Sequence, residues 1–247
     1  MTGPIRPGCE PFEFAGGPAG LLLLHGFTGN PAGLRRMGEW LAARGHAVSC
    51  PLYPGHGRDW RDLGRHRWTE WVAEAERALH ELERTVDGVV ILSLSFGSAI
   101  GLHLAARHPD TVKGIAVVNP YLRDRRYWRA VPPVPGVGND IRKPGEDELS
   151  AERIPVRALL DLGTALRTLG RDIPLVRQPL LVFESSEDHV VPKGTVRWLL
   201  ERVGSERTEV VPLPNSYHVA TLDHDAELIF ERTHEFAEAV MAADGAR

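Results

Sequence analysis

The chain has 247 residues, enough for one large domain with an insertion, and 43% hydrophobic and 25% charged residues make it an ordinary globular composition. Its 29 basic and 33 acidic side chains leave a formal net charge of -4, which gives no electrostatic footing for nucleic acid. Cys9 and Cys50 form no Cys-x-x-Cys pair and imply no disulfide framework, and no apolar run approaches the ~20 residues of a membrane-spanning helix.

In chain order, Ala19 to Leu24 predicts a strand entering the turn His25-Gly26-Phe27-Thr28-Gly29. Asn30-Pro31 opens a helix expected to run to about Arg44, with proline in the first turn and Gly45 just past the end. Ala47 to Pro51 is a short strand, with Cys50 as a small core residue, and Tyr53-Pro54-Gly55-His56-Gly57 is a turn-rich loop. From Trp68 to Glu83, Trp68, Trp71, Val72, Ala75, Leu79 and Leu82 recur at three and four residues and give a helix one apolar stripe. Val89 to Leu92 predicts a strand, Ile100 to His108 a helix stopped by Pro109, and Gly114 to Val118 another strand. Strands at Leu180–Glu184 and Glu209–Leu213 follow, then a closing helix from Thr221 to Val240 that carries Asp223, His224 and Asp225 on its surface. Short apolar strands alternating with helices argue for an α/β fold with a mostly parallel central sheet covered on both faces.

Residues 120–178 break this rhythm. Arg123 to Arg129 is charged and aromatic, Val131-Pro132-Pro133-Val134-Pro135-Gly136 reads as irregular, and a short helix is expected from Val156 to Leu169. A connection of this length over the carboxyl ends of the strands reads as a cap inserted into a core of residues 1–119 and 179–247. The plainer reading is a surface excursion.

The chemistry points to Ser93-Leu94-Ser95-Phe96-Gly97, which sits between a strand and a helix and nearly matches the Gly-x-Ser-x-Gly nucleophile elbow. Serine is a poor nucleophile until a base takes its proton, and the base needs a carboxylate to orient it. Asp188, in the loop after the strand at Leu180, is the candidate carboxylate, with Glu184 and Glu187 as rivals. His218, in the loop after Glu209–Leu213, is the candidate base, since imidazole titrates near working pH. The backbone N–H groups of Phe96 and Phe27 are the candidate oxyanion donors. Gly26 lets the backbone approach closely, and His25 reads as a structural hydrogen-bonding group beneath the hole. No metal motif is strong: His103 and His108 are five apart, and His56 with Asp59 and Asp62 reads as a loop. Gly16-Gly17-Pro18-Ala19-Gly20 precedes a strand, so it is no dinucleotide fingerprint, and no cofactor is expected.

His25-Gly26-Phe27-Thr28-Gly29, Pro54-Gly55-His56-Gly57, Ser95-Phe96-Gly97, Asp188 to Pro192 and His218 to Asp223 together resemble the α/β-hydrolase superfamily, within it the bacterial carboxylesterase and monoacylglycerol lipase-like group. The resemblance covers nearly the whole chain. It implies Ser95 as nucleophile, Asp188 as acid, His218 as base, an oxyanion hole from the Phe27 and Phe96 amides, and a cap that lines an acyl pocket. Ser93 stands where the family has glycine, and Tyr217 where glycine is common.

The expected activity is hydrolysis of short- to medium-chain carboxylic esters, monoacylglycerols among them, with transient contact with lipid substrate. An acyl-coenzyme A thioesterase is the alternative enzyme, since the same triad serves and Arg123, Arg125, Arg126 and Arg129 offer charge for phosphates; a solvated face is their plainer reading. A non-catalytic ligand-binding protein on the same fold is the other class. Dehalogenase chemistry is disfavoured, because that branch uses aspartate at the elbow. The first residues lack a basic segment leading into an apolar one, so a cytoplasmic enzyme is the simplest expectation. The sequence does not set an oligomeric state.

Overall fold

Apolar side chains on both faces of most strands demand cover on both sides of the sheet, and the fold supplies it. A computed structural model describes residues 3–123, 134–136 and 139–245. The strands are β1 (Phe12–Phe14), β2 (Ala19–Leu24), β3 (Ala47–Cys50), β4 (Gly88–Leu94), β5 (Val112–Val118), β6 (Val134–Pro135), β7 (Arg153–Ile154), β8 (Leu180–Ser185) and β9 (Thr208–Leu213). The helices are α1 (Ala32–Ala42), α2 (Trp60–Leu63), α3 (Trp68–Leu82), α4 (Gly97–Arg107), α5 (Val156–Leu169), α6 (Thr195–Leu200) and α7 (Ala226–Gly245).

The main sheet runs β1-β3-β2-β4-β5-β8-β9. Every neighbouring pair is parallel except β1 with β3, which is antiparallel. The mostly parallel sheet expected from the alternation is therefore present, with an antiparallel edge strand added. Along β4, Val89 and Ile91 pack with Trp71 of α3, Ile100 of α4 and Leu162 of α5, while Val90, Leu92 and Leu94 pack with Leu34 of α1 and Ile229 of α7. That alternation is the two-residue period of a strand buried on both faces.

Four expectations change in detail. α4 starts at Gly97, immediately after Ser95, rather than at Ile100. Val134–Pro135, read as irregular, pairs antiparallel with Arg153–Ile154, while residues 131–133 lie outside the described part. α6 was not anticipated; it follows Gly194 at φ +76°. The closing helix begins at Ala226, after a 3-10 turn at Ala220–Leu222. The physical reason is a pair of buried carboxylates. Asp223 accepts the N–H groups of Arg142, Lys143 and Tyr217, and Asp225 those of Asn215 and the Ser216 hydroxyl. Asp223 and Asp225 are thus interior groups rather than helix surface, and His224 is exposed but lies in the break.

Leu92 is fully buried beneath the candidate site. Leu92→Ala should lower the unfolding free energy by about 2–5 kcal/mol. The change should shift the denaturant midpoint and leave its slope unaltered.

Candidate active site

β2 and β4 run side by side with Leu24 opposite Ser93, so the loops leaving both strands emerge together. Strand order also reverses here, since the chain goes outward from β2 to β3 and then returns to β4. In open α/β sheets the crevice at such a reversal, beyond the carboxyl ends, is the natural binding place.

Ser95 occupies that crevice with φ +56°, a left-handed conformation unusual for a side chain with a Cβ. Its N–H donates to Val118 O at 2.9 Å, and its carbonyl accepts from Ser98 and Tyr121 N–H at 3.0 Å each. These bonds on both sides hold the strained residue. Gly97 is required just beyond it: a Cβ there would stand 2.4 Å from Leu24 O. A Cβ on Gly26 would stand 3.3 Å from Ser95 Cβ, so glycine lets the two loops close on each other. Ser93 fits without glycine because Gly101 of α4 faces it, a Cβ on Gly101 lying 3.2 Å from Ser93 Oγ, and because that Oγ donates to Ala116 O.

The side chains chosen from sequence fall into one line. Ser95 Oγ lies 2.9 Å from His218 Nε2, and His218 Nδ1 lies 2.8 Å from Asp188 Oδ2. Asp188 Oδ1 accepts the N–H groups of Val190 and Val191 at 2.7 and 2.8 Å, which leaves Oδ2 for the imidazole. The carboxylate thereby fixes Nδ1 as donor and Nε2 as acceptor toward the serine hydroxyl. Burial works to raise the Asp188 pKa, but bonds from His218 and the two amides outweigh it and hold the pKa below the usual carboxylate value. Burial likewise works to lower the His218 pKa, yet Asp188, with Glu148 and Asp140 nearby, raises it above the ordinary value of 6.5. The rivals Glu184 and Glu187 are exposed, and Glu187 pairs with His189.

Two residues that sequence reading missed, Asn119 and Asp140, and one that it misread, Asp223, anchor the His218 loop. Asn119 ends β5 at φ +44°; its Nδ2 donates to Ser185 Oγ and to the carbonyls of Tyr217 and His218, and its Oδ1 accepts Ser185 N–H. Asp140 Oδ2 accepts His218 N–H at 3.2 Å, and its carbonyl accepts Val219 N–H. Asp223 binds Tyr217 from one side and Arg142 and Lys143 from the other. The sequence signal for Asn119 and Asp140 was no more than an amide or acidic residue type outside a regular element.

The loop after β2 is held from below. His25 accepts Tyr53 N–H at Nε2, so its Nδ1–H donates to Gly26 O at 2.9 Å. The Gly26–Phe27 peptide is trans, and a trans peptide points its N–H opposite its carbonyl, so His25 sets the direction of Phe27 N–H. His56 Nε2 donates to Phe27 O and fixes the next peptide. Burial keeps both rings neutral, with His25 well below its ordinary pKa and His56 lowered to about 4. The expectation that His25 is a structural hydrogen-bonding group is met. Phe27, Trp71 and Phe96 stack edge-on or tilted around this floor.

Over the serine opens a partly enclosed, mostly apolar cleft. Phe27, Phe96 and Val219 line it from the sheet side, and Ile154 of β7 with Leu159 and Leu162 of α5 from the other. One charged group breaks the apolar wall. Glu148 is buried there, and Asn30 Nδ2 holds its carbonyl at 3.0 Å. Its carboxyl lies 3.4 Å from where a Cβ on Gly29 would sit, so glycine makes room for it. Burial raises its pKa to about 7, against the opposing pull of His218.

The other histidines weighed for metal lie away from this cleft. His103 pairs with Asp172, His108 with Glu76, and Asp59 caps α2 through Arg61 N–H. Of the arginines weighed for phosphate, Arg123 donates to Lys193 O, and Arg125, Arg126 and Arg129 lie outside the described residues.

The chain is similar to known proteins over nearly its whole length. The sequence profile of the alpha/beta hydrolase fold matches residues 21–134, and that of the S33 serine aminopeptidases matches residues 137–225. A thermostable monoacylglycerol lipase from Bacillus sp. (strain H-257) is 36% identical over 94% of this chain and 96% of its own length. A carboxylesterase from Bacillus subtilis (strain 168) is 26% identical over 93% of this chain and 96% of its own. A solved structure from work on LipS and LipT, two metagenome-derived lipolytic enzymes, superposes with a TM-score of 0.91 at 34% identity, covering 96% of this chain and 100% of that one.

Three outcomes follow. A reaction that needs neutral His218 is lost as pH falls through its raised pKa, so the acid limb of kcat/KM should lie above pH 6.5. Glu148→Gln removes a negative charge that favours the imidazolium, and should move that limb to lower pH; a steady-state pH series reads both. Gly101→Ala should destabilise the protein less in a Ser93→Gly background than alone. Equilibrium unfolding of the four proteins should give a coupling of about 0.5–3 kcal/mol.

Proposed function

The chain belongs to the α/β-hydrolase family and is related to bacterial carboxylesterases and lipases; on that footing we propose that it hydrolyses carboxylic esters with Ser95 as nucleophile, His218 as base and Asp188 as its orienting carboxylate. The observation that carries the reading is the continuous hydrogen-bonded line from Ser95 Oγ through both nitrogens of His218 to Asp188.

In this reading His218 Nε2 takes the Ser95 hydroxyl proton as Oγ bonds to the ester carbonyl carbon. The carbonyl oxygen gains the charge and is met by the amides of Phe27 and Phe96. The bond to the alcohol oxygen then breaks, and His218 returns its proton to the departing alcohol. Water attacks the acyl-enzyme, gives its proton to His218, and the acid leaves as Ser95 regains its hydrogen. Asp188 stays ionised throughout and stabilises the imidazolium.

We read residues 120–178 as a cap over the core of residues 1–119 and 179–247, its helix α5 forming one wall of an acyl pocket. The apolar wall supports a short- to medium-chain acyl group. Glu148, a buried carboxyl beside His218, supports an alcohol portion that carries hydroxyls to donate to it, as a glycerol monoester does.

Turnover of a chain-length series of glycerol monoesters, beside p-nitrophenyl esters and acyl-coenzyme A thioesters, tests this directly. Glycerol monoesters should be turned over with the highest kcat/KM, and Ser95→Ala should lower kcat on the order of 10⁶-fold. Glu148→Ala should raise KM for the glycerol ester more than for the p-nitrophenyl ester. Preference for the thioester would replace the substrate assignment, and full activity in Ser95→Ala would overturn the mechanism.

A further inference from the structure

We infer that His46, His234 and Glu238 form a binding site for a divalent transition-metal ion, with Zn²⁺ as the best fit, on the side of the sheet covered by α7. His46 lies in the turn between α1 and β3, with its ring buried. His234 and Glu238 are four apart on α7, a spacing that sets side chains one above the other on a helix face. His46 Nε2 lies 2.8 Å from His234 Nδ1 and 3.9 Å from Glu238 Oε1.

The chemistry of the set suits a metal. The buried His46 ring turns Nε2 toward both His234 Nδ1 and Glu238 Oε1, so three ligand atoms converge on one place. Two nitrogen ligands at ~2.0–2.1 Å from Zn²⁺ stand roughly 2.9–3.4 Å apart for angles between square and tetrahedral, so the two imidazoles need to separate only slightly. Glu238 is the adjustable member, with its side chain 61% exposed. Two imidazoles and one carboxylate favour Zn²⁺, Cu²⁺ or Ni²⁺ over Mg²⁺ or Ca²⁺, and the exposed side leaves a fourth position for water.

A second group, Glu76, His80 and His108, looks similar but is differently engaged. There each imidazole already faces a carboxylate at 2.8 Å, His108 with Glu76 and His80 with Glu83. At His46 the two imidazoles face each other instead. An ion bound there joins the last helix to the turn before β3, so it acts as a clip on the chain's closing element and stabilises the fold by mass action.

The experiment uses the full chain without a histidine tag, stripped by a chelator and titrated with ZnCl₂ by calorimetry. CuCl₂ serves as a second probe, because Trp40 lies with its ring 6.2 Å from that of His234 and its emission should be quenched. Expected are one ion per chain and a rise in thermal midpoint with Zn²⁺. His234→Ala should weaken binding by about tenfold or more, since losing even an outer-shell partner costs that much. Glu238→Gln, an exposed change that leaves folding intact, should weaken it in the same direction, and His80→Ala should not. Ester hydrolysis should be equal in all four proteins. Absence of stoichiometric binding, binding in His234→Ala as tight as in the parent, or loss of binding in His80→Ala would each overturn the assignment.

Discussion

One amide side chain ties the carboxyl-terminal end of this sheet together. Asn119 leaves β5 in a left-handed conformation and bonds Ser185 at the end of β8 and two carbonyls of the His218 loop. Its own N–H donates to Phe183 O, and the carbonyl of the preceding Val118 receives Ser95 N–H. β4, β5, β8 and the loop after β9 therefore share one continuous set of bonds. Asparagine tolerates the left-handed region better than most residues, so it suits a position that must both bend and bind. Without that junction, the distance between Ser95 and His218 would depend on two separate flexible loops.

Residues 140–151 add to this junction. Asp140 takes His218 N–H, the Arg142 and Lys143 amides dock on Asp223, and Ala151 N–H reaches Thr28 O in the loop after β2. Around His218 three carboxyl groups gather: Asp188 in contact, with Glu148 and Asp140 nearby. They favour the imidazolium, which in the proposed reaction is the state formed as the serine proton leaves. The same charges raise the pH at which the base is free to act. Burial raises the Glu148 pKa to about 7, so the charge it places near His218 varies around neutral pH.

The sheet and Ser95, Asp188 and His218 were readable because each rests on a local pattern: apolar runs, a small-residue turn and loops following strands. α5 was read at its observed bounds, Val156 to Leu169, since its apolar residues recur at helical spacing. Asn119, Asp140 and Glu148 were not read, because their importance comes from contacts far along the chain, 99 residues for Asn119 with His218 and 78 for Asp140 with His218. Asp223 and Asp225 were misread for the same cause; an acidic residue near a helix looks solvated until its backbone partners are known. β1 was missed because three residues show too little alternation to register as a strand. The His46–His234 pair, 188 residues apart, left no trace in any spacing rule.

The proposed catalysis stands on Ser95 being activated by His218 at one defined place. Peptide mapping after treatment with a fluorophosphonate measures that directly. The account predicts a single phosphonyl group on the peptide carrying Ser95, formed more slowly as pH falls through the His218 pKa and not formed in His218→Ala. Active protein that takes up no label, or takes it up on another serine, would contradict it.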